Sequence, residues 1–171
     1  MLVTMILYEN PWLSLMESDG YVYSHETRCQ GRIVAVLPYR EAPGGREFLV
    51  RSEITPCWGA EPILSAVTGG YEGGEIADDA VRELEEETGY AVTRAELIAL
   101  GESYASKSAD TVYTLYAVDV TGRVPGEALG DGSPHESRAT TRWLTAGELA
   151  QIRDPQVAVL YVRLLSKAEP A

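Results

Sequence analysis

The sequence predicts an α/β fold in which helices cover both faces of a mixed β-sheet, as an α/β/α sandwich. Short apolar runs typical of strands lie on both sides of one amphipathic helix near the middle of the chain, and a second amphipathic helix lies near its end. The predicted order of the main elements, β-β-β-α-β-β-β-α, favours this layered packing because each helix has an apolar stripe to bury against a sheet.

The first 24 residues are predicted to form a strand arm ahead of a main domain at 25–171. Strands are expected at 6–16 and 21–24, with a turn at 18–20. The arm lacks the basic region and the cleavage site of a signal peptide. No apolar run in the chain reaches the roughly 18 residues that a membrane-spanning helix needs.

Strands are predicted next on the N-terminal side of the central helix. The apolar run at 32–39 (RIVAVLPY) predicts a buried strand, a glycine-rich turn at 43–45 reverses the chain, and 47–51 returns it as a hairpin. Residues 63–68 (ILSAVT) predict a short strand that leads into a glycine-rich loop.

Further strands and helices are predicted after the central helix. A strand pattern lies within 91–104, a polar loop follows at 106–110, and the alternating run 111–120 predicts a strong strand. The segment 122–134, rich in Gly, Pro and acidic residues, predicts a mobile loop before the last strand at 140–144. Two helix starts follow, a capping box at 145–148 and a cap at Asp154-Pro155 that opens a helix to about residue 165.

Composition limits the partners of the chain. Its 171 residues predict one domain that buries about 70% of its unfolded surface. The formal net charge is -12 and the pI is near 4.6, which argues against nucleic acid and anionic membranes, because both are polyanions. Cys29 and Cys57 lack a C-x-x-C spacing, which favours a reduced, cytoplasmic setting over a secreted protein with one disulfide.

The central helix carries the strongest chemical signal. Eight of the 26 acidic residues lie between Glu72 and Glu87, against a single base, Arg82. A helix over 76–88 places apolar side chains on one stripe, formed by Ile76, Ala77, Ala80, Val81, Leu84 and Thr88. Gly89, just beyond it, suits a left-handed C-terminal cap.

Three carboxylates border that stripe. Glu83, Glu86 and Glu87 are spaced i, i+3 and i+4 and fan over about 100°, whereas Glu85 points to bulk water. Carboxylates this close repel one another and hold protons, unless a hard divalent cation lies among them. Mg²⁺ fits, since it binds one or two carboxylates and completes its shell with water and phosphate oxygens. The alternative is an exposed acidic helix.

These residues resemble the Nudix box, G-x5-E-x7-R-E-U-x-E-E-x-G-U, where U is apolar. The run from Arg82 to Tyr90 (RELEEETGY) matches its core, and Gly69 and Glu75 match its front half. One departure is that six residues separate Glu75 from Arg82, where the family has seven. A one-residue deletion at the start of the helix is easily absorbed in the preceding loop.

The resemblance implies an α/β/α fold and a hydrolase that cleaves the pyrophosphate of a nucleoside diphosphate derivative, such as a nucleotide sugar. It implies that Glu83, Glu86 and Glu87 bind Mg²⁺ or Mn²⁺, that Arg82 orients Glu83 or pairs with Glu75, and that a backbone carbonyl near Gly69 faces the metal. The physical argument agrees, because phosphoryl transfer needs charge neutralisation and a positioned water.

The family also suggests roles for other residues. Trp58, ahead of the box, is a candidate to stack on a base, with structural packing as the alternative. Lys107 can meet a phosphate or be a solvated loop lysine. Glu136 is the candidate for a general base or an extra metal ligand. His135 is a second candidate, with simple exposure as the alternative. The N-terminal arm resembles that of ADP-sugar pyrophosphatases, which joins a dimer partner; an edge hairpin packed on its own domain is the alternative.

Two other functions remain open at this point. A nucleoside triphosphate pyrophosphohydrolase would use the same site. A nucleotide-binding module that has lost turnover would explain the shortened box.

Overall fold

The computed structural model describes residues 4–130 and 138–168, with Ala168 described by its backbone alone. Those residues form ten strands of one mixed sheet and three α-helices. The strands are β1 (Thr4–Glu9), β2 (Ser14–Ser18), β3 (Tyr21–His25), β4 (Arg32–Ala42), β5 (Gly45–Glu53), β6 (Ile63–Ser65), β7 (Val67–Gly70), β8 (Ile98–Ser106), β9 (Ala109–Asp119) and β10 (Thr140–Thr145). The helices are α1 (Ile76–Thr88), α2 (Ala146–Leu149) and α3 (Pro155–Ala168).

The strand β4 lies at the centre of the sheet. It pairs in parallel with β9 and antiparallel with β5 and β7. Its side chains alternate between two cores: Ala35 and Leu37 lie in one, and Val34 and Val36 lie in the other. The first core also contains the apolar face of α3, and the second contains that of α1. Because alternate residues of a strand point to opposite faces, α1 and α3 cover opposite faces of the sheet, which confirms the predicted sandwich.

The predicted strand at 63–68 is divided in two. β6 pairs with β5 through Ser65, and β7 pairs with β4 from Val67 onward, so the chain changes partner at Ala66. The backbone N–H of Ala66 donates to Asp154 Oδ2 at 2.9 Å. The other carboxylate oxygen, Asp154 Oδ1, accepts from the backbone N–H of Gln156 at 2.9 Å and caps α3. One buried side chain therefore joins the strand crossover to the start of the last helix.

Replacing Asp154 with Ala should lower the free energy of unfolding by about 2–4 kcal/mol, because it removes a helix cap and leaves the buried Ala66 N–H without an acceptor. Urea denaturation followed by circular dichroism measures the change. Asp119→Ala is the matched control, since its carboxylate accepts from the Thr121 N–H at an exposed turn. We expect it to cost less than about 1 kcal/mol. Equal losses in the two variants would contradict the role given to Asp154.

The N-terminal arm consists of three antiparallel strands rather than one or two. Asn10 Oδ1 accepts from the backbone N–H groups of Trp12 and Leu13, both at 2.8 Å, and this turn separates β1 from β2. The predicted turn at 18–20 is present, with Asp19 and Gly20 at positive φ. β3 joins the main sheet beside β9, with the pair Ser24–Ala109 in register.

Two local predictions need correction. The predicted polar loop at 106–110 is a two-residue turn, because Ser106 and Ala109 already pair across β8 and β9. The capping box at Thr145 and Glu148 is confirmed, but the helix that it opens, α2, is only one turn long. Within residues 4–130 and 138–168, none of the helices has the length and apolar character that crossing a membrane requires.

Candidate active site

The box helix forms as predicted. α1 begins at Ile76 and ends at Thr88, and Gly89 follows in the left-handed region at φ 75°. A side chain on Gly89 would overlap with the backbone of Gly126, so both φ and close packing require glycine. Glu75 occupies the N-cap position, directly after two glycines with positive φ. The one-residue deletion in the box is therefore absorbed by the loop before α1, and the helix itself is uninterrupted.

The carboxylates of the box lie along a cavity of about 330 Å³. Its walls come from α1, from β7 and the loop after it, from the end of β5, and from the short turn before β4. The charged lining residues are Arg28, Glu53, Glu72, Arg82, Glu83, Glu86 and Glu87. Five carboxylates thus face two guanidinium groups, and a polyanionic nucleotide would be repelled unless a cation accompanies it.

Glu87 is the most buried of these carboxylates, with 6% of its side chain exposed. Burial raises the pKa of Glu87 to about 8, although the neighbouring charge of Arg51 acts to lower it. Its Oε1 forms an ion pair with Arg51, whereas its Oε2 is buried and has no hydrogen-bond partner. An oxygen in this state has lost its water without gaining a ligand, which is costly unless something else binds there.

Arg82 lies in the middle of the box carboxylates. Its Nη1 contacts Glu83 Oε1 at 2.9 Å and Glu86 Oε2 at 3.2 Å, and its Nη2 donates to Asp79 Oδ1 at 3.1 Å. Burial acts to lower the pKa of Arg82, but the hydrogen bond to Asp79 and the charge of Glu83 outweigh it and raise that pKa. Of its two predicted partners, Arg82 contacts Glu83. Among the described residues, Glu72 also lies close to Arg82, at 3.4 Å, in the place predicted for Glu75.

Gly69 lies in β7, directly against α1. A Cβ at this position would overlap with the side chain of Glu83. The absence of a side chain at Gly69 leaves room for the Glu83 side chain against the strand, and Gly69 lines the cavity together with Thr68.

Replacing Gly69 with Ala should lower turnover by about 10- to 100-fold, because the new methyl group displaces the Glu83 carboxylate. The fold can absorb this change by moving a side chain, so the loss of activity should exceed the loss of stability. Gly44→Ala is the matched control, since a Cβ there meets nothing within 4 Å. Steady-state kinetics alongside thermal unfolding separate the two effects, and equal turnover in both variants would contradict the prediction.

The loop that follows β9 returns to α1. Gly126 N–H donates to the Gly89 carbonyl at 2.8 Å, and Gly130 N–H donates to the Glu86 carbonyl at 2.9 Å. The described part of the predicted mobile loop, 122–130, is therefore bonded to the end of the box helix. His135 and Glu136 lie outside the described residues, so the general-base assignment stays a prediction.

The two predicted substrate contacts lie away from the carboxylate cavity. Trp58 is 59% exposed and lines a different cavity, between the loop before β6 and the segment that joins α2 to α3. Lys107 lies in the two-residue turn between β8 and β9, where its backbone carbonyl accepts from the Tyr21 hydroxyl. Substrate contact by either side chain stays a prediction.

Sequence reasoning missed four charged residues at the cavity. Arg28, Glu53 and Glu72 line it, and Arg51 lies behind Glu87 with 3% of its surface exposed. The signal for Arg51 was present in the alternation of β5: a charged residue two positions after Leu49 shares the face of the strand that packs against α1.

The donor set fits a hard divalent cation, although the ligands are not fully arranged around one. All candidate side-chain ligand atoms are carboxylate oxygens, the type that Mg²⁺ and Mn²⁺ prefer. One of them, Glu87 Oε2, is buried without a hydrogen-bond partner. Within the described ranges, no group of three or more Asp, Glu, His or Cys side chains has the arrangement needed to hold a metal ion. Arg82 holds Glu83 and Glu86, so cation binding requires these carboxylates to turn away from the guanidinium group.

Comparisons with known proteins agree with the box. A sequence model of the NUDIX domain matches residues 30–164. No curated protein matches the chain significantly. Among solved structures, one described as the crystal structure of an ADP compounds hydrolase has a TM-score of 0.68 and 16% identity, covering 98% of this chain and 94% of that chain. At this identity the likeness shows the fold. The domain match covers most of the chain, including the box, and the chain therefore belongs to the Nudix family of pyrophosphohydrolases.

Proposed function

We propose that the chain uses Mg²⁺, or alternatively Mn²⁺, to hydrolyse the pyrophosphate bond of a small nucleoside diphosphate derivative such as a nucleotide sugar. The observation that carries this proposal is the convergence of Glu83, Glu86 and Glu87 on one cavity, with one buried oxygen of Glu87 left without a partner. The description of the similar solved structure as an ADP compounds hydrolase supports a substrate of this class.

We assign the carboxylates of the cavity to cation binding and its guanidinium groups to charge compensation. Glu83, Glu86 and Glu87, with the backbone carbonyl of Gly69, would hold the cation. When bound, Mg²⁺ supplies charge neutralisation at the phosphate oxygens and lowers the pKa of a bound water. Without the cation, Arg82 bridges Glu83 and Glu86 and offsets their mutual repulsion. The exposed guanidinium group of Arg28 offers a second positive contact at the cavity.

Product analysis on a nucleotide panel tests the proposal. The panel contains nucleotide sugars, nucleoside diphosphates linked to other groups, and nucleoside triphosphates, each with Mg²⁺ and with chelator. Our proposal predicts a nucleoside monophosphate and a phosphorylated leaving group from the diphosphate derivatives. Release of inorganic pyrophosphate from triphosphates alone would favour the triphosphate hydrolase instead. Stabilisation of the fold by ligand without any product would indicate a binding module.

We also propose that the N-terminal arm binds a second copy of the chain. All six residues of β1 are exposed, and they include Met5, Ile6, Leu7 and Tyr8, each with about half of its surface accessible. Among the described strands, β1 is also an edge of the sheet, with β2 as its one partner, and an apolar edge strand of this kind favours association. Sedimentation velocity should show a dimer that Ile6→Glu dissociates; a monomeric wild-type chain would contradict the proposal.

The cytoplasmic location stays a proposal as well. It is supported by the two thiols, since Cys29 is buried and free and Cys57 is exposed and free.

A further inference from the structure

Arg51 is a buried charge at the base of the active-site cavity. It lies in β5, and only 3% of its surface is exposed. Its neighbours in the strand, Leu49 and Val50, are buried in opposite cores, so Arg51 shares the side of the sheet that packs against α1. A guanidinium group this deeply buried is costly unless carboxylates compensate its charge.

Arg51 meets the carboxylates of Glu53 and Glu87, which belong to different elements. Its Nε lies 2.9 Å from Glu53 Oε2, at the end of the same strand. Its Nη1 forms an ion pair with Glu87 Oε1, from the last turn of α1. Both partners line the carboxylate cavity, and the pair with Glu87 joins two side chains of which 4% and 6% are exposed. Arg51 therefore links the sheet to the ligand-bearing helix directly behind the proposed cation site.

The two oxygens of Glu87 are in different states as a result. Oε1 is held by Arg51, and Oε2 is buried without a hydrogen-bond partner. A carboxylate held at one oxygen by a planar, rigid donor cannot rotate freely, so the position of its other oxygen is fixed as well. Partners behind a metal ligand commonly orient it in this manner, and their loss costs about 10- to 100-fold in metal affinity.

We propose that Arg51 is a positioning residue for Glu87: it holds one carboxylate oxygen and thereby presents the other to a divalent cation. This inference rests on the proposed function, in which Glu87 binds the cation. The role differs from that of Arg82, which contacts Glu83 and Glu86 from within the cavity. It also differs from a structural ion pair, which would stabilise the fold without affecting cation affinity.

Arg51→Lys tests the proposal, because lysine keeps the positive charge and loses the rigid fork. Arg40→Lys is the matched control: Arg40 also pairs with a carboxylate of β5, Glu47, at 2.7 Å, but lies outside the cavity. Binding of Mn²⁺ to chelator-stripped protein, measured by electron paramagnetic resonance, needs no turnover. We expect Arg51→Lys to weaken binding by about 10- to 100-fold, and Arg40→Lys to leave it within about twofold.

Kinetics provide the second measurement. The Mg²⁺ concentration that gives half-maximal hydrolysis should rise in Arg51→Lys by the same factor as the Mn²⁺ dissociation constant. At saturating Mg²⁺, KM for the nucleotide should stay within about threefold of the wild-type value, because Arg51 acts through Glu87. If Arg51→Lys does not fold, as judged by circular dichroism, Arg51→Gln takes its place, since the amide removes the buried charge and still lacks the fork.

The possible failures are distinguishable. Wild-type protein that binds no Mn²⁺ would overturn the proposed function. Wild-type protein that binds Mn²⁺, together with a folded Arg51 variant that binds it equally well or more tightly, would overturn the role of Arg51 and leave the proposed function standing.

Discussion

Glu87→Gln should lower kcat/KM by roughly 10³-fold. Loss of a partner behind a metal ligand costs about 10- to 100-fold, so loss of a direct ligand should cost more. Glutamine has nearly the same size as glutamate and can still accept a hydrogen bond from Arg51, which limits the disturbance of the fold. The remaining position of the amide is then an NH2 group, however, which donates hydrogen bonds and is not a ligand for a hard cation. Steady-state kinetics over a range of Mg²⁺ concentrations measure the effect.

Glu85→Gln is the control for that variant. Glu85 lies on the same helix, is exposed, and does not line the carboxylate cavity. The same chemical change there should leave kcat/KM within about twofold of the wild-type value, as expected for a surface substitution. If Glu87→Gln retains turnover within about threefold of the wild type, Glu87 is not a metal ligand, because a true ligand is worth orders of magnitude.

Arg82→Met should lower kcat/KM by about 10- to 100-fold, because the box carboxylates lose the guanidinium group that bridges them. Arg82 contacts Glu83, Glu86 and Asp79 within 3.2 Å. Methionine keeps part of the packing of the side chain without the charge. The five carboxylates of the cavity would then be compensated mainly by Arg51 and Arg28, and mutual repulsion would push Glu83 and Glu86 outward.

Arg94→Met is the matched control for Arg82. Arg94 also pairs with a carboxylate of α1, Asp78, at 3.0 Å, but both side chains are more than half exposed. An exposed ion pair contributes about 0–1 kcal/mol, so its loss should change neither turnover nor stability much. Kinetics and thermal unfolding of the two variants side by side provide the comparison. Similar activity of the two would show that the contacts of Arg82 have no role in catalysis.

The box helix was predictable because its signals are local. The apolar stripe, the carboxylate spacing and Gly89 all lie within one short stretch, and each depends only on helix geometry. The three-layer packing followed from the continuous apolar run of β4, which is typical of a strand buried on both faces, and from the second amphipathic helix near the end of the chain. Features of this kind need no knowledge of which distant residues meet.

The contacts that a single sequence could not provide are the distant ones. Arg51 meets Glu87 across 36 positions of the chain, through the packing of β5 on α1, and no periodicity specifies that pairing. The division of the strand at 63–68 depends on Asp154, a residue 88 positions away from Ala66. Trp58 is a candidate for substrate contact because of its position before the box, but the sequence does not fix which cavity a loop lines, and Trp58 lines one other than the carboxylate cavity.

Calorimetry of Mg²⁺ binding to chelator-stripped protein, with a non-hydrolysable nucleotide diphosphate present, tests the central claim most directly. Our account predicts saturable uptake of Mg²⁺ by the wild-type chain and by Glu85→Gln, and a large loss of that uptake in Glu87→Gln. Absence of Mg²⁺ and Mn²⁺ uptake by folded wild-type protein in the presence of nucleotide would contradict the claim that these carboxylates form a cation-dependent active site.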